Sequence, residues 1–155
     1  MVKEINQKER KGYITGAIDL AREKAESAID AYKRGNYGQV ISSLYYSYFH
    51  IIKAILYKKG FDPVSHEGVY ALLNLHFVKS GVLDKGYSRL FERLHKNREI
   101  ADYNPIAPKF DKKDADNFVI ELSDLTPEII GIIKNYREYT IKLTKSIIEL
   151  KRLTK

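Results

Sequence analysis

At 155 residues and 18.0 kDa, the chain has the size of one domain with a single core that needs no staples. It has no cysteine, which rules out disulfides and thiolate metal sites, and it contains no apolar run near the ~20 residues that cross a membrane. Its start, with Lys3, Glu4, Lys8, Glu9, Arg10 and Lys11, is too charged for a signal peptide, so a cytoplasmic location is expected. A net charge of +7 favours polyanionic partners such as RNA, DNA or nucleotide phosphates.

Apolar residues recur at helical spacing through nearly the whole chain, and no strand pattern or internal repeat is visible. Ile14, Ala17, Ile18, Ala21, Ala25, Ala28 and Ile29 form one face of a first helix, about residues 5–34, closed by Gly35 and Asn36. Its alanines invite close approach by a neighbour. A second helix, about 38–59, carries Val40, Leu44, Tyr48, Ile51 and Ile55, together with Phe49, Ile52 and Leu56, and ends at Lys58, Lys59 and Gly60. Asp62 and Pro63 make a turn, and Ser65 caps a third helix reaching about Val78. Asp84 caps a fourth, which carries Tyr87, Leu90, Phe91 and Leu94 and reaches Ile100 or Tyr103 before Pro105. A fifth starts near Asp111–Asp114, and Thr126 and Pro127 read as the cap and first turn of a further segment running to Arg152. Short links between amphipathic helices predict an all-α, antiparallel up-and-down bundle of four to five helices, as a single domain over residues 1–155.

The conspicuous polar cluster is Arg98, Asp102 and Tyr103. Arg98 supplies a planar fork suited to phosphate, Tyr103 a stacking face and Asp102 an acceptor. The spacing of four puts Arg98 and Asp102 on one helix face, so an exposed ion pair worth under ~1 kcal/mol competes with a ligand role. His50 and Tyr46 on the second helix are expected to complete the groove, although a tyrosine-rich stretch is more commonly packing. Tyr45, Tyr46 and Phe49 widen that helix's apolar face beyond the needs of one core, which predicts a homodimer. The histidines His50, His66, His76 and His95 lack ligand spacing, and no phosphate loop or nucleophile elbow occurs, so neither metal nor cofactor is expected.

Leu44 to His50, then Ser65 to Gly68, then Phe77 to Gly81, then the R-x-x-A-D-Y ending at Arg98–Tyr103 together resemble the HEPN domain family over roughly residues 10–120. The resemblance implies a four- to five-helix bundle, commonly dimeric, with a groove near the dimer interface. Many such proteins are encoded beside a minimal nucleotidyltransferase in toxin–antitoxin or nucleotide-sensing pairs. Ribonucleases of the family use R-x4-6-H. Here Asp102 stands where that histidine belongs and Asn97 where the arginine does, and a carboxylate is a poor substitute for imidazole near neutral pH. Arg89 and His95 match the spacing literally, at a level that chance supplies. Ala101, Asp102 and Tyr103 also fit the A-x-Y context in which a related subgroup has its tyrosine modified with AMP by the partner. The leading expectation is therefore a nucleotide- or RNA-binding partner of a minimal nucleotidyltransferase. Its rivals are a metal-independent ribonuclease toxin using Arg89 or Arg98 with His95, and a purely structural bundle.

Overall fold

A computed structural model describes residues 2–155. The first helix, α1 (Gln7–Lys33), begins where the Asn6 side chain accepts the Glu9 amide at 3.0 Å, and ends at Gly35 with φ +72°. Asn36 then caps α2 (Tyr37–Lys58), which lies centrally and packs on α1 and on later helices. The α1 alanines Ala17, Ala21, Ala25 and Ala28 are all buried and let the two backbones approach closely, so that Ser47 Oγ donates to Ala21 O at 2.8 Å. Tyr48, fully buried on α2, donates its hydroxyl to Tyr87 O at 2.9 Å. These two bonds satisfy hydroxyls that burial would otherwise penalise.

Ser65 caps α3 (His66–Leu73), which passes into a π-helical turn, Asn74–Val78, closed by Lys79 N donating to Asn74 O at 2.7 Å. Asp84 caps α4 (Lys85–Tyr103), and a reciprocal capping box between Asp111 and Asp114 starts α5 (Lys112–Ile132). A single 3-10 turn, Lys134–Tyr136, leads to α6 (Arg137–Arg152), which packs mainly on α1.

The all-α bundle is as the sequence pattern predicts, with three differences of detail. There are six α-helices among the described residues, and the last division falls at Ile133–Tyr136 rather than at Thr126–Pro127. Pro127 lies inside α5, and Thr126 Oγ1 and Ser123 Oγ fold back to Leu122 O (2.6 Å) and Val119 O (2.7 Å). Thr126 is thus a helix-interior residue and not a cap. There is also a short ribbon that no alternation announces: β1 (Val2–Glu4) pairs antiparallel with β2 (Phe61–Pro63). Ile5 extends it by donating to Gly60 O at 2.8 Å. Gly60 has φ +92°, and a Cβ there would lie 2.6 Å from the Arg10 guanidinium. Arg10 in turn donates to Ile5 O at 3.3 Å, tying the start of the chain to the end of α2.

Candidate functional site

Facing sides of α2, α3 and α4 bring the polar cluster together. Arg98, one turn before the end of α4, lays its guanidinium over the rings of Tyr45 (5.1 Å), Tyr46 (5.5 Å) and Tyr103 (5.9 Å). Its side chain is only 11 % exposed, so the expected exposed pair with Asp102 is largely sequestered. Arg98 continues the buried stripe of Tyr87, Phe91 and Leu94 along α4, and two tyrosines of α2 cover it there. Arg98 Nη2 donates to Glu99 Oε1 at 2.9 Å, Nη1 lies 3.8 Å from Asp102 Oδ2, and Nε has no protein acceptor. Asp102 is fixed from α2 as well, accepting from Ser42 Oγ at 3.1 Å.

A second layer adjoins it. His66 Nδ1 lies 2.9 Å from the Tyr45 hydroxyl and His66 Nε2 2.7 Å from Glu92 Oε1. A carboxylate only accepts, so Nε2 carries a proton toward Glu92 and Nδ1 accepts from Tyr45. Burial raises the Tyr45 pKa well above that of free tyrosine, which keeps this hydroxyl a donor. The His95 ring stacks on His66 with centroids 3.5 Å apart, and its Nε2 is 3.6 Å from Glu99 Oε1. Burial, then the neighbouring His66 and Arg98, lower the His95 pKa, so this imidazole is neutral at pH 7. A neutral base and a fixed guanidinium therefore stand side by side.

Of the residues the sequence singles out, the structure brings Arg98, Asp102, Tyr103 and Tyr46 together, and His95 joins them. Tyr103 is 70 % exposed, at the edge of a depression it shares with Glu99, Ile100, Asn104 and Pro105. Beyond it a cavity of about 550 Å3 opens between the α1–α2 turn and the α4–α5 loop, bordered by Arg34, Tyr37, Lys109 and Phe110. His50 stands apart, one turn beyond Tyr46 on α2. It is half-buried and edge-on to Phe49, with burial and then Lys53 and Lys24 lowering its pKa to about 4. Arg89 is exposed, and six residues before His95 it points about 120° away around α4, so it does not enter the cluster. Sequence reasoning missed Tyr45, His66, Glu92 and Ser42 as members. The Ser65–Gly68 pattern flagged His66, but its partners lie 21 and 26 residues away. Among the described residues, no group of three or more His, Cys, Asp or Glu is arranged to hold a metal.

The HEPN domain model matches residues 17–152, from α1 into α6. The chain belongs to the HEPN domain family. A protein of Methanocaldococcus jannaschii named as a candidate toxin is 28% identical over 133 residues, covering 86% of this chain and 98% of that protein. A UPF0332 protein of Thermotoga maritima is 23% identical over 137 residues, 86% of this chain and 98% of its own length. One from Pyrococcus horikoshii is 40% identical over 72 residues, 46% of this chain and 51% of that protein. In this HEPN domain the cluster lies on α2, α3 and α4, all inside the matched span.

Proposed function

We propose that this HEPN domain binds RNA or a nucleotide at the Arg98–Tyr103 cluster, as the cytoplasmic partner of a minimal nucleotidyltransferase in a toxin–antitoxin-like pair. The observation that carries the reading is the exposed Tyr103 ring, 5.9 Å from a guanidinium that two further tyrosines hold in place. An aromatic platform beside a fixed cation stacks a base and receives its phosphate. The adjoining cavity of about 550 Å3 is large enough for a mononucleotide. Relatives named as candidate toxins, one of them 33% identical over 87 residues, support the toxin–antitoxin setting.

Tyr103 separates binding from folding, because its ring contributes little to the core. Fluorescence anisotropy with a labelled single-stranded RNA and with ATP is expected to show saturable binding to at least one. Tyr103→Ala weakens it by roughly tenfold, as the loss of about 1–3 kcal/mol of stacking implies, without moving the melting temperature. Binding that is absent, or indifferent to Tyr103→Ala, refutes the proposal. The stacked His66 and His95 favour one second reading, a metal-independent ribonuclease with His95 as base and Arg98 as phosphate clamp. The same RNA is expected to remain intact in EDTA, since Asp102 replaces the family's histidine. Cleavage that His95→Ala abolishes promotes the second reading over the first.

A further inference from the structure

α6 packs more extensively on α1 than on α5, and a trough runs between α5 and α6. Two depressions of about 390 and 320 Å3 form it, joined at Pro127, Ile130 and Thr144. Its α6 wall carries Ile141 and Ile148, 39% and 47% exposed, two helical turns apart and outside the buried stripe of Leu143, Ile147 and Leu150. Its α5 wall carries Pro127, Ile130 and Gly131, and nothing lies within 4 Å of where a Gly131 Cβ would stand. A glycine and a proline inside a helix cost stability in the isolated chain, and Ile141 and Ile148 leave apolar surface open to solvent.

The rim settles what fits there. Lys134, Arg137 and Lys145 line one half and Lys151 the other, and no acidic residue lines either depression. Of these cations only Lys151 has an ion-pair partner among the described residues, Asp124 at 3.1 Å. The trough follows α5 from Ser123 to Gly131, eight helical steps or about 12 Å, and α6 from Arg137 to Lys151, fourteen steps or about 21 Å, with Lys134 beyond the end of α5. Pro127, Ile130 and Gly131 on α5 face Ile141 and Ile148 on α6 across Thr144, at the helical spacing of a seam open to one more helix. A single fatty-acid carboxylate answers one cation, whereas a helix with acidic flanks answers Lys134, Arg137 and Lys145 together.

We infer that the α5–α6 trough is a docking groove for an acidic amphipathic helix of a partner protein, a site that shares no residue with the Arg98 cluster. The probe is a fluorescein-labelled, lactam-bridged helix about 12 residues long, three turns, with leucines on one face and glutamates on its flanks. Saturable anisotropy binding to the full chain is expected. A version with lysine for every glutamate, and the Arg137→Glu/Lys145→Glu and Ile148→Asp proteins, should each lose about tenfold or more in affinity. All three changed side chains are exposed, so circular dichroism melts should match the parent. Failure to saturate at millimolar concentration, equal binding of the lysine peptide, or indifference to the groove variants overturns the inference. Displacement of the peptide by dodecanoate at equal concentration overturns it in favour of an acyl chain. A parent dimer that the groove variants convert to monomer by light scattering overturns it in favour of a second copy.

Discussion

His50 holds its imidazole half-buried between the charges of Lys53 and Lys24, and its pKa falls from 6.5 to about 4. The folded state keeps it neutral while the unfolded chain takes up a proton first, so its contribution is intact above pH 6.5 and lost as pH falls from 6.5 toward 4. Solvent reaches part of the ring, so the full shift overstates the effect, and about 1–2 kcal/mol is expected. Urea denaturation of the parent and of His50→Gln should therefore show stabilities that converge by that amount between pH 7 and pH 4.5. Parallel pH curves would show that the depressed pKa has no hold on folding. The contrast with Arg98 is instructive. His50 lies off the buried stripe of α2, whereas Arg98 continues that of α4 after Phe91 and Leu94 and is only 11% exposed beneath Tyr45 and Tyr46. Removing Arg98 therefore disturbs packing as well as any ligand, and the exposed Tyr103 is the better probe of binding.

At the scale of the element, Pro127 is the clearest local conflict. Within α5 it has no amide to offer Ser123 O, a cost of up to ~3 kcal/mol in a helix interior, offset by about 1 kcal/mol from a stiffer unfolded chain. Pro127→Ala should accordingly raise stability by about 1–2 kcal/mol in urea denaturation, and a fall would mean that the ring's contacts outweigh the missing bond. The same proline shows why this boundary was not legible. Thr126-Pro127 reads identically as a cap with its first turn or as a helix interior, and only the continuous course of α5, with the Thr126 hydroxyl turned back to Leu122 O, distinguishes them. Gly35, Gly60, Ser65 and Asp84, by contrast, mark helix ends through bonds to residues within a turn, so the sequence places those ends to within a residue or two. The ribbon of Val2–Glu4 with Phe61–Pro63 is three residues long and pairs segments some sixty apart, leaving no local trace. The candidate site divides the same way. Arg98, Asp102 and Tyr103 share one stretch of α4 and are visible together, whereas the contacts of His66 with Tyr45 and Glu92 exist only once α2, α3 and α4 have packed.

For the whole molecule, charge and apolar surface pull in opposite directions, and salt separates them. Tyr45, 3% exposed, is consumed by the chain's own core, so the expected homodimer rests on the half-buried Tyr46 and Phe49 of α2, with the exposed Tyr103 and Ile106 at the end of α4 and the loop beyond it. Two copies each carrying +7 repel one another, and at 0.15 M ionic strength the repulsion is screened beyond roughly 8 Å. Apolar burial between them is not weakened by that screening. Added salt should therefore favour self-association while it weakens the proposed RNA binding, since phosphate contacts to a cation such as Arg98 gain from counterion release. Light scattering at high micromolar concentration is expected to give twice the 18.0 kDa chain mass, with the dimer fraction rising from low to moderate salt. Over the same range RNA affinity by anisotropy should fall, linearly in its logarithm against the logarithm of salt. A single-chain mass at every salt concentration removes the dimer. An RNA affinity that does not respond to salt removes the phosphate contact at Arg98, whatever becomes of the dimer.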